Sequence, residues 1–155
     1  MQKNTSQPRA FSSQINAVSI LKLIAYIIFC EGVGIIGSFF TYPAIKAWYV
    51  MLDKPFFSPP NWLFAPVWTI LYAFMGISLY LVWEKGAKGE REKKAVKIFL
   101  LQLFANFLWS ILFFGLRSPL LGLIDIVILL VLIIITLEKF KQISKTAFYL
   151  MIPYL

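Results

Sequence analysis

Gln102, Asn106 and Ser110 follow one another at four-residue spacing in QLFANFLWSILFFG, and Trp109 lies three residues after Asn106. On a helix these positions share one face, so two amides, a hydroxyl and an indole point the same way out of an apolar run. Lipid would reject that face. Two readings fit it and are compatible at different heights: interhelical hydrogen bonding, worth about 1 kcal/mol per group, and the wall of a pocket. Trp68, Tyr72 and Gly76 have the same spacing in VWTILYAFMG. Two rings stack there along a face that ends in a residue without a side chain, which leaves a slot. Interfacial tryptophans are common, and Trp83 reads as one of them; Trp68 is favoured as functional because it continues an aromatic loop directly into the helix.

That loop, AWYVMLDKPFFSPPNWLFAPVW from Ala47 to Trp68, is too aromatic for an ordinary connection. Loops are normally polar and exposed; this one carries Trp48, Tyr49, Phe56, Phe57, Trp62, Phe64 and Trp68 and is stiffened by Pro55, Pro59, Pro60 and Pro66. Stiff rings lose little entropy on binding, and the segment is suited to holding something flat.

Two carboxylates fall inside apolar runs, Glu31 and Asp125. A carboxylate within a membrane span costs about 2.5–3.5 kcal/mol on insertion scales and is a functional candidate by default. Glu31 has three open roles: pairing with another helix, binding a cationic ligand, or carrying a proton. For Asp125 a structural role is favoured, with Arg117 across the short turn as a candidate partner. Other chemistry is excluded by what is missing. The chain has no histidine and a single cysteine, Cys30. Ser-His and Cys-His pairs, histidine metal ligands, disulfides within the chain and thiolate clusters are therefore ruled out, and no metal site is expected. No glycine-rich phosphate loop is present either.

The elements that position these residues follow from composition. Hydrophobic residues make up 60% of the chain and charged residues 14%, with a mean hydropathy of +0.79; soluble domains carry about a quarter charged residues. The surrounding solvent is a bilayer. A span needs about 20 mostly apolar residues, and residues 21–41, 64–83, 97–116 and 119–137 meet that length. A further apolar run, KTAFYLMIPYL, starts near 146 and reaches Leu155 at about half a span. The expected fold is an all-α integral membrane protein, a five-helix transmembrane bundle whose fifth helix is cut short at Leu155. Residues 1–17 read as a disordered polar arm and 18–155 as one bundle domain. The first apolar segment lacks a cleavage site and is expected to stay in the mature protein.

Lysines and arginines gather on one side: Lys3, Arg9 and Lys22, then Lys85 to Lys97, then Lys139, Lys141 and Lys145; the other side has Lys46, Lys54 and Arg117. The positive-inside rule then predicts a cytoplasmic N-terminus and an outside aromatic loop. The net charge of +8 is read as a topology signal plus attraction to anionic headgroups, and nucleic acid is a poor explanation for it. Gly34 and Ser38 have the small-xxx-small spacing of close helix packing, either within the molecule or at a homodimer seam.

These residues carry a family resemblance. WYVMLDKPFFSPPNW, VWTILYAFMGISLYLVW, QLFANFLWSILFFG, GLIDIVILL and PYL resemble, in order, the first loop and the second to fifth helices of the tryptophan-rich sensory protein family, TspO, whose animal members are called translocator protein or peripheral-type benzodiazepine receptor. GSFFT before the loop resembles it more weakly. The resemblance implies an often dimeric five-helix bundle with a pocket under the first loop that takes tetrapyrroles such as protoporphyrin IX and haem. Carried over by position, that pocket involves Trp48 and Tyr49 in the lid, Phe64, Ala65, Trp68 and Tyr72 on the second helix, and Asn106, Trp109 and Ser110 on the third. The family's fifth helix continues past PYL with a Trp-containing stretch that this sequence does not have.

Three functions compete. The first is a ligand-binding membrane protein with no required cofactor, in which the porphyrin's propionates reach polar atoms or Lys46 and Lys54. Metal-free protoporphyrin is then expected to bind at least as well as haem. The second is an enzyme that degrades protoporphyrin under light, with Trp68 and Trp109 as the catalytic candidates. The third is a small proton-coupled transporter of bulky aromatic cations that uses Glu31.

Overall fold

The computed structural model describes residues 17–53, 56 and 58–155. The predicted arm at residues 1–17 lies outside the described residues except for Ala17, which begins the first helix, and Lys54, Pro55 and Phe57 of the aromatic loop lie outside them too. Helices α1 (Ala17–Ala47), α2 (Asn61–Glu84), α3 (Glu90–Trp109), α4 (Pro119–Lys141) and α5 (Lys145–Met151) follow in order. A 3₁₀ turn at Tyr49–Met51 opens the aromatic loop, α3 continues as a π-helical segment over Ser110–Gly115, and α5 ends in a 3₁₀ turn at Ile152–Tyr154. No strand occurs among the described residues. Among the described residues four helices, counting α3 with its π segment as one, are long and apolar enough to cross a membrane.

The helices extend beyond the apolar runs that announce them. α3 starts at Glu90 because Glu92 reaches back to accept the Gly89 N–H at 2.9 Å, satisfying a donor that the first turn leaves unpaired. Its first two turns carry charge, so hydropathy registers the helix only near residue 97. Ser118 and Ser144 cap α4 and α5, their hydroxyls accepting the Leu121 and Ala147 N–H groups at 3.3 Å, and Pro119 takes the first helical position of α4, where its missing N–H costs nothing.

Successive long helices run antiparallel. Lys22 at the start of α1 pairs with Glu84 at the end of α2 at 2.8 Å, Phe99 on α3 stacks on Phe140 of α4 at 5.6 Å, and the Ser78 hydroxyl on α2 donates to the Ala147 carbonyl on α5 at 3.2 Å. The fully buried centre holds Cys30, Met75, Phe99, Phe140, Ala147 and Met151. Outward faces such as Ile24, Ile28, Phe39, Leu123, Val127 and Val131 are exposed, an arrangement that water would penalise and lipid accepts.

Between helices in lipid, close van der Waals packing replaces the hydrophobic drive, and small residues permit it. Gly76 is the tightest backbone approach between α1 and α2: a methyl group there would lie 2.6 Å from the Ile27 Cα. Gly34 and Gly37 also face inward, against the Tyr72 ring and Ser110, whereas Ser38 is exposed and donates to its own helix at the Ile35 carbonyl at 2.6 Å. The small residues of α1 thus serve packing within the molecule at Gly34. Gly76→Ala is expected to lose about 1–3 kcal/mol in thermal unfolding in detergent. Gly32→Ala, with nothing within 4 Å of the added carbon, is the matched control and should unfold no more easily than wild type, because alanine favours a helix over glycine; an equal loss there would show that the contact at Gly76 is not what decides.

Candidate ligand-binding site

The polar centre of the bundle is one amide. Asn106, only 4% exposed, accepts from the Tyr72 hydroxyl at Oδ1 and donates from Nδ2 to the Tyr154 hydroxyl oxygen at 2.8 Å. A single side chain on α3 therefore ties α2 to the turn that ends α5. Tyr154's own hydroxyl hydrogen has no acceptor among the described residues, so the relay ends in a donor. One turn along α2 from Tyr72, Trp68 lies tilted on it with centroids 5.7 Å apart and meets Tyr154 edge-on at 6.2 Å.

One turn along α3 from Asn106 is a second cluster. Trp109 and Phe113 are parallel to within 5°, with centroids 4.9 Å apart, and Phe114 stands perpendicular to both at 5.4 and 4.9 Å. The π segment makes this possible. Leu116 donates back to the Ile111 carbonyl five residues earlier at 2.7 Å, and the wider turn brings the residues four and five after Trp109 both against its ring, Phe113 on its face and Phe114 at right angles to it, where an α-helix would carry Phe114 around. Such insertions are rare and concentrate at functional sites. The loop closes over this cluster, Trp48 meeting Phe113 edge-on at 5.4 Å and Tyr49 meeting Phe114 at 5.9 Å. Gly122 of α4 lies directly behind, where a methyl would be 2.6 Å from Phe113 Cδ2.

The structure brings most of the expected residues together but not all. Trp48, Tyr49, Trp68, Tyr72, Asn106 and Trp109 belong to the two clusters. Ser110 faces Gly37 of α1 at 3.1 Å from an added Cβ, which is helix packing. Phe64 is half-buried without a ring partner, and Ala65 is exposed, its carbonyl accepting from Thr69 at 2.9 Å. Farther along the loop Trp62 is 72% and Phe56 100% exposed, whereas the Trp48–Tyr49 end of the loop lies on these clusters.

On the polar face of α3 both amides turn to neighbouring elements of the bundle. Gln102 is fully buried, its Nε2 4.0 Å from the Met75 sulfur and its Oε1 without a partner, while Asn106 is fully engaged. The expected Asp125–Arg117 pair does not form. Arg117 is exposed in the turn before α4 with φ of 53°, and Asp125 is 4% exposed with Oδ2 unpartnered. The turn's left-handed residue is Arg117 itself, which directs its side chain to solvent. Glu31 is half-buried on α1 and takes part in no ion pair or side-chain hydrogen bond among the described residues.

Phe113, Phe114 and Tyr154 are site residues that spacing did not select. Phe113 follows Trp109 by four and was open to the same argument; Phe114 requires the π turn, and Tyr154 requires the docking of α5. No group of three metal-ligating side chains occurs among the described residues.

The model of the TspO/MBR family matches residues 26–155. The chain is 49% identical over 138 residues to the tryptophan-rich protein TspO of Archaeoglobus fulgidus, covering 89% of this chain and 88% of that one. It is 45% identical to the protein of the same name from Chlorobaculum tepidum, over 88% and 86%, and 36% identical to the human translocator protein, over 77% and 72%. An aromatic loop lying on a tryptophan-rich bundle of five helices, together with these matches, makes the chain a multi-pass membrane protein of the TspO/MBR family.

Proposed function

We propose that this protein binds tetrapyrroles, protoporphyrin IX and haem among them, and similar flat hydrophobic ligands between its helices beneath the Trp48–Tyr49 lid, in a sensing or transport role. The observation that carries the reading is the parallel Trp109–Phe113 pair beside the Tyr72–Asn106–Tyr154 relay. A planar macrocycle that enters between parallel rings exchanges one stacking contact for two, and offset stacking contributes beyond simple apolar burial. The site supplies what small-molecule pockets combine, an apolar aromatic wall and a few convergent polar groups. Tyr154's unused O–H suits a propionate oxygen. The relatives' printed names, translocator protein and tryptophan-rich sensory protein, point to the same pair of roles.

The test is a titration of the purified protein in detergent with protoporphyrin IX in the dark, following tryptophan fluorescence. Saturable quenching is expected, with haem binding no more tightly, because no histidine is present to ligate iron. A folded protein that shows no saturable quenching overturns the reading; a haem complex far tighter than the porphyrin complex overturns the expectation that metal-free porphyrin binds at least as well.

A light-dependent reaction is favoured as a second reading by one feature, the run of oxidisable rings Tyr72, Trp68 and Tyr154 at 5.7 and 6.2 Å. A product that needs light and oxygen and disappears in Trp68→Phe while dark binding persists would establish it. Glu31 separates both from proton-coupled transport. Glu31→Gln is expected to leave porphyrin binding unchanged between pH 6 and 8, roughly the range around neutrality; binding retained but proton-driven efflux of an aromatic cation lost would favour the transporter instead.

A further inference from the structure

At the opposite end of the bundle from the lid, two adjoining surface grooves of about 400 and 360 Å³ share Trp83, Val96 and Leu100 in their linings. One runs along α3 past Leu101 to Lys93 and Lys97. The other crosses the α2 floor at Leu79 to Tyr26 and Phe29 on α1. The Trp83 indole thus divides a forked apolar trough whose α3 arm holds two cations one helical turn apart. From this we infer that the trough is a binding site for an anionic phospholipid, with one acyl chain on each side of Trp83 and the phosphate between Lys93 and Lys97.

Charge complementarity selects this occupant. Lys22 and Lys88 at the same end are both committed to Glu84, at 2.8 and 3.2 Å. Lys97 has no ion pair, and Lys93 pairs only with Glu90 at 2.8 Å where both side chains are more than half exposed, a bond worth little that a phosphate replaces at small cost. Lysines at helix ends extend their ammonium groups toward the headgroup layer while their stems cover apolar surface, and a Trp at that depth is an interfacial anchor. A free phosphate has no chains to fill the trough, and a zwitterionic lipid brings no net charge to the two lysines.

The site is testable with Trp83 as reporter. The protein is reconstituted in phosphatidylcholine vesicles doped with equal small fractions of phosphatidylglycerol or phosphatidylcholine that carry brominated chains, and the Trp83 signal is taken as the difference from Trp83→Phe. Each juxtamembrane lysine contributes enough attraction to an anionic surface that two should give a preference on the order of tenfold. Quenching of Trp83 is expected to favour phosphatidylglycerol by that factor, to fall toward parity in Lys93→Gln/Lys97→Gln, and to keep its preference in Lys139→Gln/Lys145→Gln, whose lysines line neither groove. Equal quenching by both lipids in wild type overturns the proposal. So does an equal loss in the two double variants, which would mean diffuse attraction to surface charge. Unchanged helical circular dichroism in both variants, whose substitutions are at lysines on the surface, confirms that folding is not what is being read.

Discussion

Trp68→Ala combined with Trp109→Ala is expected to leave a folded bundle whose affinity for protoporphyrin IX falls by about a thousandfold. Aromatic anchors of a binding site cost at least about 2 kcal/mol each when truncated, and about 4 kcal/mol in total corresponds to that factor. Both rings are half-buried at the edge of the core, not among the fully buried residues that hold the helices, so the effect on folding is smaller than on binding. The substitutions remove two of the five tryptophans, and the readout is therefore the porphyrin's own absorption shift and not protein fluorescence. Trp83→Ala removes a ring from the opposite end and should bind as wild type does. Equal affinities for the double variant and wild type would place the ligand elsewhere, and a comparable loss in Trp83→Ala would point to general destabilisation.

The distance between the sequence and this site is instructive. Trp68, Tyr72, Asn106 and Trp109 were legible because they lie on regular helix, where four-residue spacing is a sufficient guide to a shared face. The same rule placed Ser110 with them, yet Ser110 begins the π segment and turns to Gly37 of α1. A change of helical period cannot be seen in a periodicity that assumes one. Phe114 was missed for the same reason. Tyr154 was missed for another: it reaches Asn106 only because a short helix, capped by Ser144 and held by the Ser78–Ala147 bond, docks against α2, and nothing local in PYL encodes that contact. The acid-base pair expected of Asp125 and Arg117 failed on turn geometry, which a span-level reading does not resolve.

Asn106→Leu is expected to be the most damaging single change of shape-conserving kind in the core. Leucine keeps the branched four-atom skeleton of asparagine but removes both hydrogen bonds, and it leaves the Tyr72 O–H and the Tyr154 oxygen without partners at buried positions. An orphaned buried group costs about 1–3 kcal/mol, whereas a hydrogen bond between membrane helices averages about 0.6 kcal/mol because alternatives are found when it is lost. Here one substitution orphans two groups, on α2 and on the turn that ends α5, with no other polar side chain bonded to them among the described residues, so a loss of about 2 kcal/mol in a detergent unfolding titration is expected. The triple variant Tyr72→Phe, Asn106→Leu, Tyr154→Phe leaves nothing unsatisfied and should recover most of that loss, since replacing all partners by apolar groups of similar shape is nearly neutral. A single variant as stable as wild type, or a triple variant weaker than the single, would show that the relay carries no stability. The recovered triple variant then isolates the relay's other role. If Tyr154's O–H receives a propionate, wild type binds protoporphyrin IX more tightly than its dimethyl ester, which has no carboxylates, and the triple variant binds the two equally; a preference that survives in the triple variant would assign the propionates to other donors, Lys46 first among them, since its ammonium lies on the loop side of α1 and is held only by the exposed Tyr42 hydroxyl at 2.9 Å.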